Sequence, residues 1–130
     1  MDSHTATLQD MYAGFNARDI DRVLAALAAD VAWANGMEGG HEHGVAAVRA
    51  YWTRQWALVS PRLTPLSFDA RADGTVFVTA EQAIRDLEGN PLGDAGFGLQ
   101  DKVVGHLFHF AGGKVVRFDI EEVTPGHRTV

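Results

Sequence analysis

The chain contains no cysteine, which excludes disulfides, thiol catalysis and thiolate metal sites. It also lacks a basic patch. Arg18 and Arg22, Arg49 and Arg54, Arg62 and Arg71 lie scattered among acids, and the net charge is −6. Phosphate backbones are held by clustered Lys and Arg, so nucleic acid is not expected as a partner. No apolar run approaches the roughly 18 residues of a membrane span. The opening MDSHTATLQD shows neither the basic segment nor the apolar stretch of a signal peptide. Repeats and low-complexity segments are absent as well. Together these absences lead us to expect a cytoplasmic protein with no membrane partner. What the chain does have, 46% apolar and 22% charged residues over 130 positions, suits a single domain spanning residues 1–130.

Periodicity divides the chain in two. Leu8, Met11, Tyr12 and Phe15 recur at i, i+3, i+4, i+7, which predicts a helix near residues 4–17. Asp19 is a plausible N-cap for a second helix carrying Ile20, Val23, Leu24 and Leu27. A strand is expected from Val31 to Asn35, and a third helix is marked by Val45, Val48, Tyr51, Trp52 and Trp56. After Pro61 the period changes to two. Strand-like runs follow, with turns at 72–74 and at Ala111–Gly113 and a polar excursion over 88–98. In the last run Val116, Phe118 and Ile120 are expected on one face, with Arg117, Asp119 and Glu121 on the other. Three helices followed by four antiparallel strands make an α+β pattern.

Between the first strand and the third helix lies WANGMEGGHEHG, residues 33–44. His41 and His43 have the spacing of a metal pair. Zinc needs three or four ligands in fixed geometry, and the remaining candidates, His106, His109, Glu38 and Glu42, carry no recognisable spacing. The stretch is therefore read as a loop that turns the chain and rims a pocket, with His41 near the mouth. No metal is expected. With no glycine-rich phosphate fingerprint in the sequence, no cofactor is expected either.

RDIDRVLAALAADVAW, HGVAAVRAYW and FHFAGGKVVRFD, taken in that order, resemble the nuclear transport factor 2 superfamily, and within it the SnoaL-like, ketosteroid-isomerase-like group. The resemblance covers roughly residues 5–122. It implies a cystatin-like cone in which three N-terminal helices pack on a curved, mainly antiparallel sheet and enclose an apolar cavity. It also implies a homodimer through the outer sheet face, where Val103 and Leu107 alternate away from His106.

The resemblance places candidate site residues as well. The family's general base, an Asp at the end of the first strand, is replaced here by Asn35, which can orient a carbonyl or a water by hydrogen bonding. The acidic oxyanion donor aligns with His106, and the first-helix tyrosine falls nearest Met11, one place from Tyr12. His106 shares a strand face with Val104, Phe108 and Phe110. It is either a core residue or an acid–base group on a cavity wall, where an ordinary pKa of about 6.5 would suit proton transfer. Asp119 in VVRFD matches a closing-strand acid of some cyclase-like members, although alternation sets it on the polar face with Arg117. The face of Glu81 is ambiguous. Trp33, Trp52, Phe108 and Phe118 supply aromatic walls for a substrate, with Tyr12 and His41 as polar contacts.

Two functions stay open. One is an isomerase, cyclase or dehydratase acting on a hydrophobic carbonyl compound by cofactor-free acid–base chemistry, with His106, Asn35 and Asp119 as its catalytic candidates. The other is a non-catalytic ligand-binding or protein-interaction module of the same fold. In both, the expected partners are a hydrophobic small molecule and a second copy of the chain.

Overall fold

The structure is a computed structural model that describes residues 3–36, 39–90 and 102–122. Helix α1 (Ser3–Asn16) buries the face read from its period: Leu8, Met11, Tyr12 and Phe15 are all in the core. Arg18, at φ 62°, turns the chain out of the helix. The amide of Asn16 then acts as a substitute strand partner, accepting from Leu63 N at 2.9 Å and donating to Leu63 O at 2.7 Å. This pins the end of α1 to a strand far along the chain. Helix α2 (Ile20–Leu24) is a single capped turn, with Asp19 accepting from Arg22 N.

The second helix is shorter than expected, and Leu27 opens a strand instead of continuing it. Strand β1 (Leu27–Ala34) ends in a hairpin whose turn is closed by Asn35 N to Gly40 O at 2.9 Å and Gly39 N to Asn35 O at 3.0 Å. The expected loop therefore carries a short strand, β2 (His41–His43), paired antiparallel to β1. Glu38 lies outside the described residues. Helix α3 (Val45–Leu58) starts from Gly44, whose φ of 88° and ψ of 154° only glycine adopts without strain.

The remaining strands are β3 (Ser60–Ala70), β4 (Val76–Arg85), β5 (Lys102–Ala111) and β6 (Lys114–Glu122). The 88–98 excursion falls largely outside the described residues. Its first turn is held by Asp86, which accepts from Glu88 N and Asn90 N. One six-stranded sheet results, in the order β2-β1-β6-β5-β4-β3. All pairs are antiparallel except β1 with β6. Four strands follow the third helix as expected and the strand expected at Val31–Asn35 appears as β1, so the addition is β2, which with β1 lies between the second and third helices.

Alternation along β5 holds: Val104, His106 and Phe108 are buried, while Val103 is exposed. Along β6 a bulge intervenes, because Phe110 pairs with Val115 but His109 pairs with Arg117. The extra residue moves Val116 off the inner face, and Val115, fully buried, takes its place. On β4, Val76, Val78, Ala80 and Ile84 are buried, whereas Glu81 is exposed opposite Val103, so it faces outward.

Candidate functional site

A cavity of about 80 Å³ lies between the helices and the inner sheet face. Trp33 on β1 and Leu63 on β3 both line it. Four strand spacings separate these strands in the sheet order, about 19 Å if the sheet were flat. For both to reach one small cavity, the sheet has to curl around the helices. The walls are mainly aromatic. Trp33 stacks on Phe118 at 4.1 Å between ring centroids, and Trp52 meets Trp33 edge-on at 5.2 Å. Phe108 and Phe118 complete this wall beside His106. Burying each such ring contributes on the order of 2–3 kcal/mol to the fold, so these side chains build the core and line the cavity together.

Into this apolar setting α1 and β5 each deliver one polar group. Tyr12 Oη and His106 Nδ1 are 2.6 Å apart, and both residues are only 4% exposed. Burial dominates their titration. It lowers His106 from 6.5 to about 3 and raises Tyr12 well above its ordinary value of 10. At pH 7 both are therefore neutral, and a single proton lies between them. If Tyr12 donates, Nδ1 accepts and Nε2 carries a proton. If Nδ1 donates to the tyrosine oxygen, Nε2 presents a lone pair. Among the described residues no hydrogen bond reaches Nε2, and the ring lines the cavity.

The other sequence candidates fall elsewhere. Asn35 is buried at 5% exposure, but its amide donates to Glu42 Oε2 at 2.9 Å and it lines a more open depression beside the cavity. The hairpin turn explains this placement, since the backbone of Asn35 closes the turn and its side chain follows β2. The expectation that Asn35 lines the same cavity as His106 is corrected accordingly. His41 and Asp119 line the same depression and do not reach the cavity. Asp119 accepts from His41 Nε2 at 2.8 Å and from Arg117 Nε at 2.8 Å. Partial burial would raise its carboxyl, yet these hydrogen bonds outweigh burial and hold it below the usual range. The cavity and the depression share Ala34, Gly36, Gln82 and Ile120, so the two adjoin. Among the described residues no three His, Asp or Glu side chains converge as metal ligands would.

Tyr51 and Gln55 are among the cavity residues that escaped the sequence reading. Tyr51 Oη accepts from Gly36 N at 3.0 Å and from Gln55 Nε2 at 3.1 Å. Both side chains line the cavity. The signal was present: Gln55 continues the buried stripe of Val48, Tyr51 and Trp52, and a polar residue on such a stripe is the unusual observation.

A family model described as the SnoaL-like domain matches residues 8–118. No curated protein matches the chain. Among solved structures, an NTF2-like protein of unknown function from Burkholderia pseudomallei K96243 is similar with a TM-score of 0.75 at 25% identity, covering 95% of this chain and 92% of its own. A putative polyketide cyclase from Xanthomonas campestris pv. campestris gives a TM-score of 0.70 at 25% identity, covering 91% and 88%. TerC, co-crystallised with polyporic acid, shares the fold with a TM-score of 0.76 at 22% identity, covering 96% and 95%. The family match runs from Leu8 in α1 to Phe118 in β6, taking in Tyr12, His106 and the aromatic wall between them, and the chain belongs to the SnoaL-like family.

Proposed function

We propose that the chain binds a small, largely apolar carbonyl compound in the cavity and acts on it by cofactor-free isomerase, cyclase or dehydratase chemistry. The observation that carries this reading is the buried Tyr12–His106 pair at 2.6 Å, whose two residues both line an aromatic cavity. A merely apolar core gains nothing from two polar groups that cost free energy to desolvate. The putative polyketide cyclases among the similar structures and the polyporic acid co-crystallised with TerC make aromatic and polyketide-like ketones the first compounds to test.

The direction of the pKa shift bears on the role. Burial, which disfavours the charged ring, makes His106 a weaker base than an ordinary histidine. Unaided abstraction of a carbon-bound proton is thus the poorer assignment. The better one is electrophilic: Tyr12 donates to Nδ1, and Nε2–H donates to the ligand's carbonyl oxygen. A hydrogen bond in a dry site strengthens as negative charge develops on that oxygen.

A second reading is favoured by the lining itself. Among the described residues no carboxylate lines the cavity, and Asn35 is engaged with Glu42, so the same site serves a non-catalytic binding module. The test is a panel of aromatic and polyketide-like ketones scored for tryptophan fluorescence quenching and for turnover. His106→Phe and Tyr12→Phe should abolish turnover and weaken binding while circular dichroism stays unchanged. Binding without turnover by the wild type selects the module. Unchanged binding by His106→Phe together with a higher Tm makes the pair structural and sinks the enzyme reading.

We also propose a homodimer through the outer sheet face. Val103 is 38% exposed there, beside Leu107 and the ring of Phe77, which lies across Gly105. An apolar strip of this kind is normally covered.

A further inference from the structure

Gln55 is 7% exposed, lines the cavity, and has a side-chain oxygen, Oε1, with no hydrogen-bond partner. A buried orphan acceptor is rare in a folded protein, because it keeps the desolvation cost without compensation. The amide is not loose, since its Nε2 donates to Tyr51 Oη at 3.1 Å. Tyr51 is itself fixed by Gly36 N at 3.0 Å. One turn of α3 thus holds in place an amide with an unsatisfied oxygen, on a residue that lines the space a ligand would fill.

We propose that Gln55 Oε1 is the specificity anchor of the cavity and accepts a hydrogen bond from a hydroxyl group of the ligand. The proposal rests on the cavity being the ligand site and deepens that reading, because it divides the ligand's oxygens between two walls. A carbonyl oxygen meets Nε2–H of His106 on β5, and a hydroxyl meets Gln55 on α3. The ligand class is therefore a hydroxy-ketone with an aromatic or otherwise apolar frame. A compound bearing the carbonyl alone leaves Oε1 buried and unsatisfied. Sites built to hydrogen-bond a hydroxyl reject such analogues strongly, for that reason.

Single-ring probes test this directly. 4-Hydroxyacetophenone and 4-methylacetophenone differ by a hydroxyl against a methyl of nearly the same size. Their binding to the full chain is followed by tryptophan fluorescence and by calorimetry. The wild type should bind the hydroxyl probe at least tenfold more tightly. Gln55→Leu, which keeps the bulk and removes the acceptor, should reverse the order and favour the methyl probe. If both probes bind the wild type equally, or if Gln55→Leu leaves the ratio unchanged, the assignment of Gln55 is overturned while the cavity remains the ligand site. If neither binds at millimolar concentration, the cavity reading fails and takes this assignment with it. A preference for the methyl probe in the wild type overturns the acceptor role outright.

Discussion

His106 stays neutral in the fold down to about pH 3, but in the unfolded chain it takes up a proton near pH 6.5. Below pH 6.5 the unfolded state therefore binds a proton that the folded state does not. Stability then falls as pH drops and is flat above pH 6.5. Between pH 6.5 and 4.5 this one residue should remove about 2–3 kcal/mol, at roughly 1.4 kcal/mol per unit. The carboxyls of Asp73, Asp86 and Asp119 are held below their usual 3.8 and so act at lower pH. Urea unfolding of the wild type and His106→Phe from pH 7.5 to 4.5 isolates the effect: the wild type should lose about 2–3 kcal/mol more than the variant. Parallel curves for the two proteins would show that the histidine is not buried as described. The inward face of His106 was legible because strand alternation fixes it. Its partnership with Tyr12 was not, since nothing local connects residues 94 positions apart. Asn35 was placed by family register, and register alone does not tell a turn-closing side chain from one that enters the cavity.

At the scale of elements, the helices were legible where the buried stripe was long. In α1 and α3 four apolar positions or more repeat at helical spacing, and the bounds fall within a residue or two of expectation. The helix capped by Asp19 forms over Ile20–Leu24, but its extension to Leu27 was misread because the spacing of Leu27 fits a helix equally well, while its pairing with Val115 in the sheet overrides local preference. The bulge that substitutes Val115 for Val116 leaves no mark in an alternating sequence, since both residues are valine. The junction from β2 to α3 is different, because Gly44 must adopt a backbone region closed to side-chain-bearing residues. Gly44→Ala should destabilise the protein by about 1–3 kcal/mol, even though a Cβ there meets only Ala29 O at 3.5 Å. Thermal unfolding measures this. An unchanged Tm would mean that the junction relaxes without strain.

For the molecule as a whole, the outer sheet face carries the quaternary prediction. If two copies pair over Val103, Phe77 and Leu107, light scattering at micromolar concentration should give twice the 14.1 kDa of one chain. Val103→Glu places a charge on a side chain already exposed, so it should split the pair without unfolding the chain. A single-chain mass for the wild type would count against the dimer.

The parallel pairing of β1 with β6 sets the order of assembly. Leu27 and Val115 lie 88 positions apart in sequence (115 − 27) yet are neighbours in the sheet. During synthesis β1 emerges early and has only β2 to lean on until β6 has been made. The wall that holds Phe118 against Trp33 cannot close before then. Long-range pairings of this kind slow folding and leave apolar surface uncovered meanwhile. The nascent chain therefore carries an open sheet edge until β6 has been made, and the cavity comes into existence only with that strand.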